Sequence, residues 1–216
     1  VGLVLSKKVG DYVEKEEDIL KLVETIIANT SGNNNQNEDF WVKAEKLLYQ
    51  SYLSLIINKF PKEEQHLGTL IDLISYSTVK EDDENYKNAV DYLFDELEKE
   101  DSESFAVKQY KAYKLAAGKT AKSILISCAT RLAPLNIPAV RNLLKEDQLN
   151  LRTLGDKGRK TALFVIVPDT DATFNFIVSI MYSQLFNMLC TIADEKYRGE
   201  LPTHVRFLLD EFANVG

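Results

Sequence analysis

The sequence predicts a mainly α protein, an all-α helical bundle followed by a partial α/β segment. Three observations carry this. Apolar residues recur at helical spacing through most of the chain up to about Asn150. Two continuous apolar runs of strand length follow, Thr161 to Pro168 and the stretch after His204. Between the runs, Phe174 to Ala193 reads as a long, strongly apolar helix.

Glu17 to Asn29 places Ile19, Leu20, Val23, Ile26 and Ile27 on one side of a first helix, which the polar run Thr30 to Asn37 ends. Asp39 is placed to cap a long second helix burying Phe40, Trp41, Ala44, Leu47, Leu48, Leu55 and Ile56 before Pro61. Large aromatics at such a start are expected in the core. Thr69 caps a third helix carrying Leu70, Leu73 and Ile74. A fourth, Tyr86 to Lys99, has Ala89, Val90, Leu93, Phe94 and Leu97 as its stripe. Ser104 opens a fifth with Phe105, Val107 and Tyr110, and a sixth runs through Ile124, Leu125, Cys128 and Leu132 to Pro134. Pro138 suits the first turn of a short helix holding Val140, Leu143 and Leu144. Amphipathic helices with short connections bury their stripes against one another as a bundle.

Leu149 to Lys160, with Gly155 and Gly158, is where helical periodicity gives way to strand composition. It divides the chain into an unassigned leader or linker at 1–15, a helical domain at 16–150 and a partial α/β domain at 151–216. Strand, helix and strand at this spacing make one right-handed crossover of a parallel sheet. With only a slice of that sheet in the chain, some of its apolar surface is expected to be bare. Asp169 and Asp171 fit the cap of the long helix.

The final run, His204 to Leu209, ends abruptly in Asp210-Glu211. A buried parallel strand that delivers two carboxylates at its carboxyl end suits a nucleotide site: Asp210 to hold Mg²⁺ and Glu211 to orient and deprotonate water. A buried strand ending in a solvated acidic turn reads the same way. Gly118-Lys119-Thr120 is not the matching phosphate loop, because position 113 is Tyr where that loop needs Gly and the preceding stretch is helical.

Leu208-Leu-Asp-Glu-Phe-Ala-Asn-Val-Gly216 closely resembles the extended Walker B segment of the TraG/TraD-type coupling proteins of type IV secretion and conjugation. Asp169-Thr-Asp-Ala-Thr-Phe-Asn-Phe176, followed by Tyr182-Ser-Gln-Leu-Phe186, is similar to the segment before Walker B in the Gram-positive branch. Asp18-Ile-Leu20, Ala28-Asn-Thr30, Asp39 to Glu45 and Gln109 to Ser127 look like the all-α insert of that family, so the resemblance runs from about Asp18 to Gly216. It implies an all-α domain joined to part of a RecA-like (P-loop NTPase) motor, within a membrane-anchored, hexameric parent. That parent would use ATP and Mg²⁺ to drive relaxase-bound DNA or effector proteins into a channel built of other secretion subunits. The helical domain would take part in substrate selection. Lacking a phosphate loop, this chain alone is expected to bind and hydrolyse no ATP, and a stand-alone helical interaction module is the alternative.

The net charge of −7 argues against a strong sequence-independent grip on DNA. Charge is segregated: Glu81 to Glu103 is dense in acid, whereas Ser104 to Lys145 has none and carries Lys108, Lys111, Lys114, Lys119 and Lys122. Lys108, Lys111 and Lys114 share a helix face. They are either a solvated surface partly paired with the acidic segment, or a docking surface for an acidic protein or for DNA. Cys128 and Cys190 lie in apolar helical patterns and read as buried thiols in a reducing, cytoplasmic setting. His66 and His204 have no Cys or His neighbour to suggest zinc. No stretch reaches the roughly 18 apolar residues that suggest a membrane span, so a soluble chain is expected.

Overall fold

The computed structural model describes residues 12–13, 15–30, 40–83, 86–116, 118–167 and 173–210. It is mainly helical: α1 (Glu16–Thr30), α2 (Phe40–Lys59), α3 (Leu67–Tyr76), α4 (Ala89–Glu100), α5 (Phe105–Lys114), α6 (Gly118–Leu132), α7 (Pro138–Leu144) and α8 (Asn175–Tyr197). The bundle is built around α2, which packs against α1, α3, α5 and α6. Leu48, Tyr49, Tyr52, Leu53, Leu55 and Ile56 are fully enclosed. Being surrounded, α2 buries polar groups as well, and Ser51 and Tyr49 find carbonyl acceptors for theirs. Ser51 donates to the Leu48 carbonyl, and Tyr49 reaches across to the Cys128 carbonyl at 3.1 Å. Such pairing keeps buried polar groups from costing stability.

Several expectations are corrected. Phe40 and Trp41 stand 56% and 40% exposed, stacked edge to face, because the packed part of α2 starts a turn later at Ala44. On α1 the buried set is Ile19, Leu22, Val23, Ile26 and Ile27. α1 is gripped by both α2 and α8, and this places Leu22 inside and leaves Leu20 exposed. Leu143 on α7 is exposed while Leu144 is fully buried, and Ala89 faces solvent. Cys128 is buried as expected, but Cys190 lies on the open side of α8. The caps assigned to Asp39, Asp169 and Asp171 fall outside the described residues.

α3 begins two residues before Thr69, and its cap is His66, whose Nδ1 accepts the Thr69 N–H at 3.2 Å. The ring lies over Gly68, where an added Cβ would meet Nδ1 at 2.8 Å and Cε1 at 2.9 Å. Gly68→Ala should therefore displace the cap and cost about 1–2 kcal/mol, read by urea unfolding at neutral pH. Burial, with Lys145 and Arg141 nearby, holds the His66 pKa below its usual 6.5. The cap needs the bare Nδ1 lone pair, so its contribution is complete above pH 6.5 and is lost as pH falls through the lowered folded value. An unchanged unfolding midpoint in Gly68→Ala would show that the ring swings aside freely.

Helix α8 is long and apolar enough, by length and composition, to cross a membrane, with mean hydropathy 1.6. Its packing accounts for that character. Phe176, Ile177 and Ile180 enter the bundle core, while Met181, Leu185, Met188, Leu189 and Ile192 form a second core with Tyr12 and Leu151.

Candidate functional site

The chain is mainly helical and no strand forms among the described residues, so the expected sheet segment is not seen there. Residues 159–167 and 204–209 carry no regular secondary structure. Exposure nevertheless alternates, as in a strand, over 164–167 and 204–208. Val165, Val205 and Phe207 pack on the second core, with Phe207 at 4.7 Å from Phe186 of α8. On the opposite side Phe164, Ile166 and Leu208 are 85%, 91% and 87% exposed. Continuous apolar runs suit strands covered on both faces. Here α8 covers one face, and neither run lends the other its hydrogen bonds. The expectation of bare apolar surface is met.

Asp210 sits exposed at the carboxyl end of the second run. Glu211 lies outside the described residues. Gly118, at φ +52°, opens α6 after the turn that ends α5, so Gly118-Lys119-Thr120 is a helix junction. Among the described residues no group of His, Cys, Asp or Glu is arranged to hold a metal. Of the expected Asp210-Glu211 pair, Asp210 alone lies among the described residues, as an exposed carboxylate.

The charge-segregated segments meet in space. α4 is capped by Asn88, whose side chain accepts the N–H groups of Val90 and Asp91 while Asp91 returns a bond to the Asn88 N–H, a capping box. α5 is capped by Ser104 as expected and lies beside α4. Lys108 then pairs with Glu103 at 2.9 Å, Lys111 with Glu98 at 2.5 Å, Lys114 with Asp91 at 2.9 Å, and Lys122 of α6 with Glu81 at 2.7 Å. Lys119, exposed in the first turn of α6, has no ion pair among the described residues. The lysine surface is thus mostly neutralised by the acidic segment.

Asp91 is the centre of this contact and is 5% exposed. Besides Lys114 and the Asn88 N–H, it accepts the Tyr110 hydroxyl at 2.8 Å, and Tyr110 stacks on Phe94 with ring centres 3.7 Å apart. Burial pushes its pKa up, but Lys114, the Asn88 N–H and Tyr110 outweigh that and hold it below the usual carboxylate value. Cavities of about 80 and 270 Å³ flank the pair, both lined by Tyr86, Tyr110 and Lys114.

A second buried pair joins α2 to α6: Glu45, 1% exposed at its side chain, accepts Arg131 Nε at 2.7 Å and also Ser127 Oγ. Arg131 donates onward to Thr30 at the end of α1. Neither hub was singled out from the sequence. The Asn88-Ala-Val-Asp91 spacing is a capping-box signal for the first. For the second, the signal is an acid among the buried positions of α2 and a lone Arg in the helical stretch at 118–132.

These features define a helical bundle carrying an α8 layer with an acidic run end. The chain belongs to the family described as type IV secretory system conjugative DNA transfer, which it matches over residues 7–216. It is therefore a conjugative DNA transfer protein of type IV secretion. None of the curated proteins and none of the solved structures matches it.

Proposed function

We propose that the chain is part of a coupling protein whose helical bundle receives relaxase or effector proteins, and whose membrane-anchored, hexameric parent hydrolyses ATP to move DNA or protein into the secretion channel. The family match over nearly the whole chain carries this reading. The run packed on α8 through Val205 and Phe207, with Asp210 exposed at its end, supports it. In this proposal Asp210 holds Mg²⁺ and Glu211 is the general base. In the parent, Glu211→Gln should preserve nucleotide binding and reduce turnover and transfer by about a hundredfold or more. Transfer at the wild-type frequency would remove Glu211 from that role.

Partner capture through the lysines is proposed on the α5–α6 side, with Lys119 the informative position. Reversing Lys108, Lys111, Lys114 or Lys122 breaks an ion pair, whereas Lys119→Glu leaves the described pairs intact. It should slow association with an acidic partner several-fold at low salt, with a smaller effect at high salt. Equal capture across a salt series would make Lys119 an ordinary solvated residue. A stand-alone interaction module is the second reading, favoured by the helices' burial of their stripes in one bundle core. Magnesium-dependent ATPase activity in the parent, lost in Glu211→Gln, decides against it.

A further inference from the structure

The two faces of α8 differ in kind. One face is aliphatic and belongs to the second core through Met181, Leu185, Met188, Leu189 and Ile192. The face against α1 is apolar only in its first turns, at Phe176, Ile177 and Ile180. Beyond that it is a polar seam. Thr25 Oγ1 meets Ser183 Oγ at 3.3 Å, Lys21 Nζ donates to Asn187 Oδ1 at 2.6 Å, and Asn187 Nδ2 donates to Asp18 Oδ1 at 2.9 Å. An exposed Lys15–Glu195 pair at 3.1 Å closes the far end. In the middle, Gln184 is 7% exposed and its Nε2 has no hydrogen-bond partner among the described residues. It lines a void of about 10 Å³ with Leu22, Thr25 and Ser183.

Polar side chains that exchange one another for water lose little when a contact parts. A buried donor left unmade in the closed state goes further and favours parting, since water satisfies it in the open state. The aliphatic contacts on the other face of α8 have no such exit. We infer that the α1–α8 contact is a separable joint. α8 swings against α1 about the apolar anchor at Phe176–Ile180, with Tyr12 and Val13, buried in the second core and the bundle core in turn, as the tether between the two. The swing would open the seam at its Lys15–Glu195 end while the bundle core stays intact, the shear-and-hinge kind of domain motion.

Thiol trapping tests the joint without reference to any catalytic activity. In a Cys190→Ser background, Leu22→Cys places a thiol inside the seam, and Cys128, fully enclosed in the bundle, reports global unfolding. Alkylation followed by peptide mass spectrometry should label the seam thiol about a hundredfold faster than Cys128. Adding Gln184→Met, which removes the unmade donor, should slow seam labelling about tenfold and leave Cys128 unchanged. Ser183→Cys, a near-isosteric exchange on the other side of the seam, gives the same readout if Leu22→Cys does not fold. Equal labelling of seam and core thiols, or a Gln184→Met effect that is absent or the same at both, would overturn the joint.

Discussion

Arg131→Ala should lower stability by about 3–5 kcal/mol, among the largest effects of any single change in the bundle. The Glu45 side chain is 1% exposed and keeps only the Ser127 hydroxyl once Nε is gone. A carboxylate left there has neither water nor a cation, and the Thr30 contact that ties in the end of α1 is lost as well. At roughly 2–4 °C per kcal/mol for a chain of this size, the melting temperature should fall by about 10 °C. The double change Glu45→Leu with Arg131→Met should recover most of that loss, because an apolar pair of similar volume has no desolvation penalty to offset. Calorimetry on the two variants checks both outcomes. A loss in Arg131→Ala under 1 kcal/mol would mean that Glu45 finds another partner.

Asp91→Asn should cost about 2–3 kcal/mol at neutral pH, with a pH dependence of defined sign. The exchange keeps the shape and removes the charge that Lys114, Tyr110 and the Asn88 N–H all address. The folded pKa of Asp91 lies below its ordinary 3.8, so the stabilisation is complete above that value and is lost as pH falls through the folded pKa. Melting temperatures of wild type and Asp91→Asn should therefore differ most from about pH 5 upward and converge in stronger acid. A constant gap across the titration would assign the loss to packing instead of charge. Asp91→Ala, which also removes the capping box, should cost about 1 kcal/mol more.

The helices were legible because their signals are local. Ser104 caps α5, Pro138 opens α7, and the span of α8 was clear from an apolar run too long for a strand. Side-chain placement was legible only where one neighbour sets the buried face. α1 has two neighbours, and its inner set shifted from Leu20 to Leu22. Trp41 and Phe40 matched the pattern of a core helix, but where packing begins along a helix depends on its neighbours, not on its own period. The segregation of acid and base was visible, whereas the pairing of Lys114 with a buried Asp91 depends on how α4 and α5 are laid together. The strand runs had the right composition, yet a strand is a relation between chains of hydrogen bonds, and composition cannot supply the partner. At the carboxylate end, Asp210 and the helix-junction reading of Gly118 can be placed, while Glu211 rests on its motif.

The bare side of the α8 layer has a practical consequence for handling the chain. Phe164, Ile166 and Leu208 stand exposed on backbone that forms no ladder among the described residues. That combination of sticky side chains and free main-chain groups is a template for edge-to-edge pairing between molecules. Colloidal behaviour should thus be governed by a few exposed side chains outside both cores. Placing Lys at Ile166 or Leu208 protects the edge by charge without touching either core.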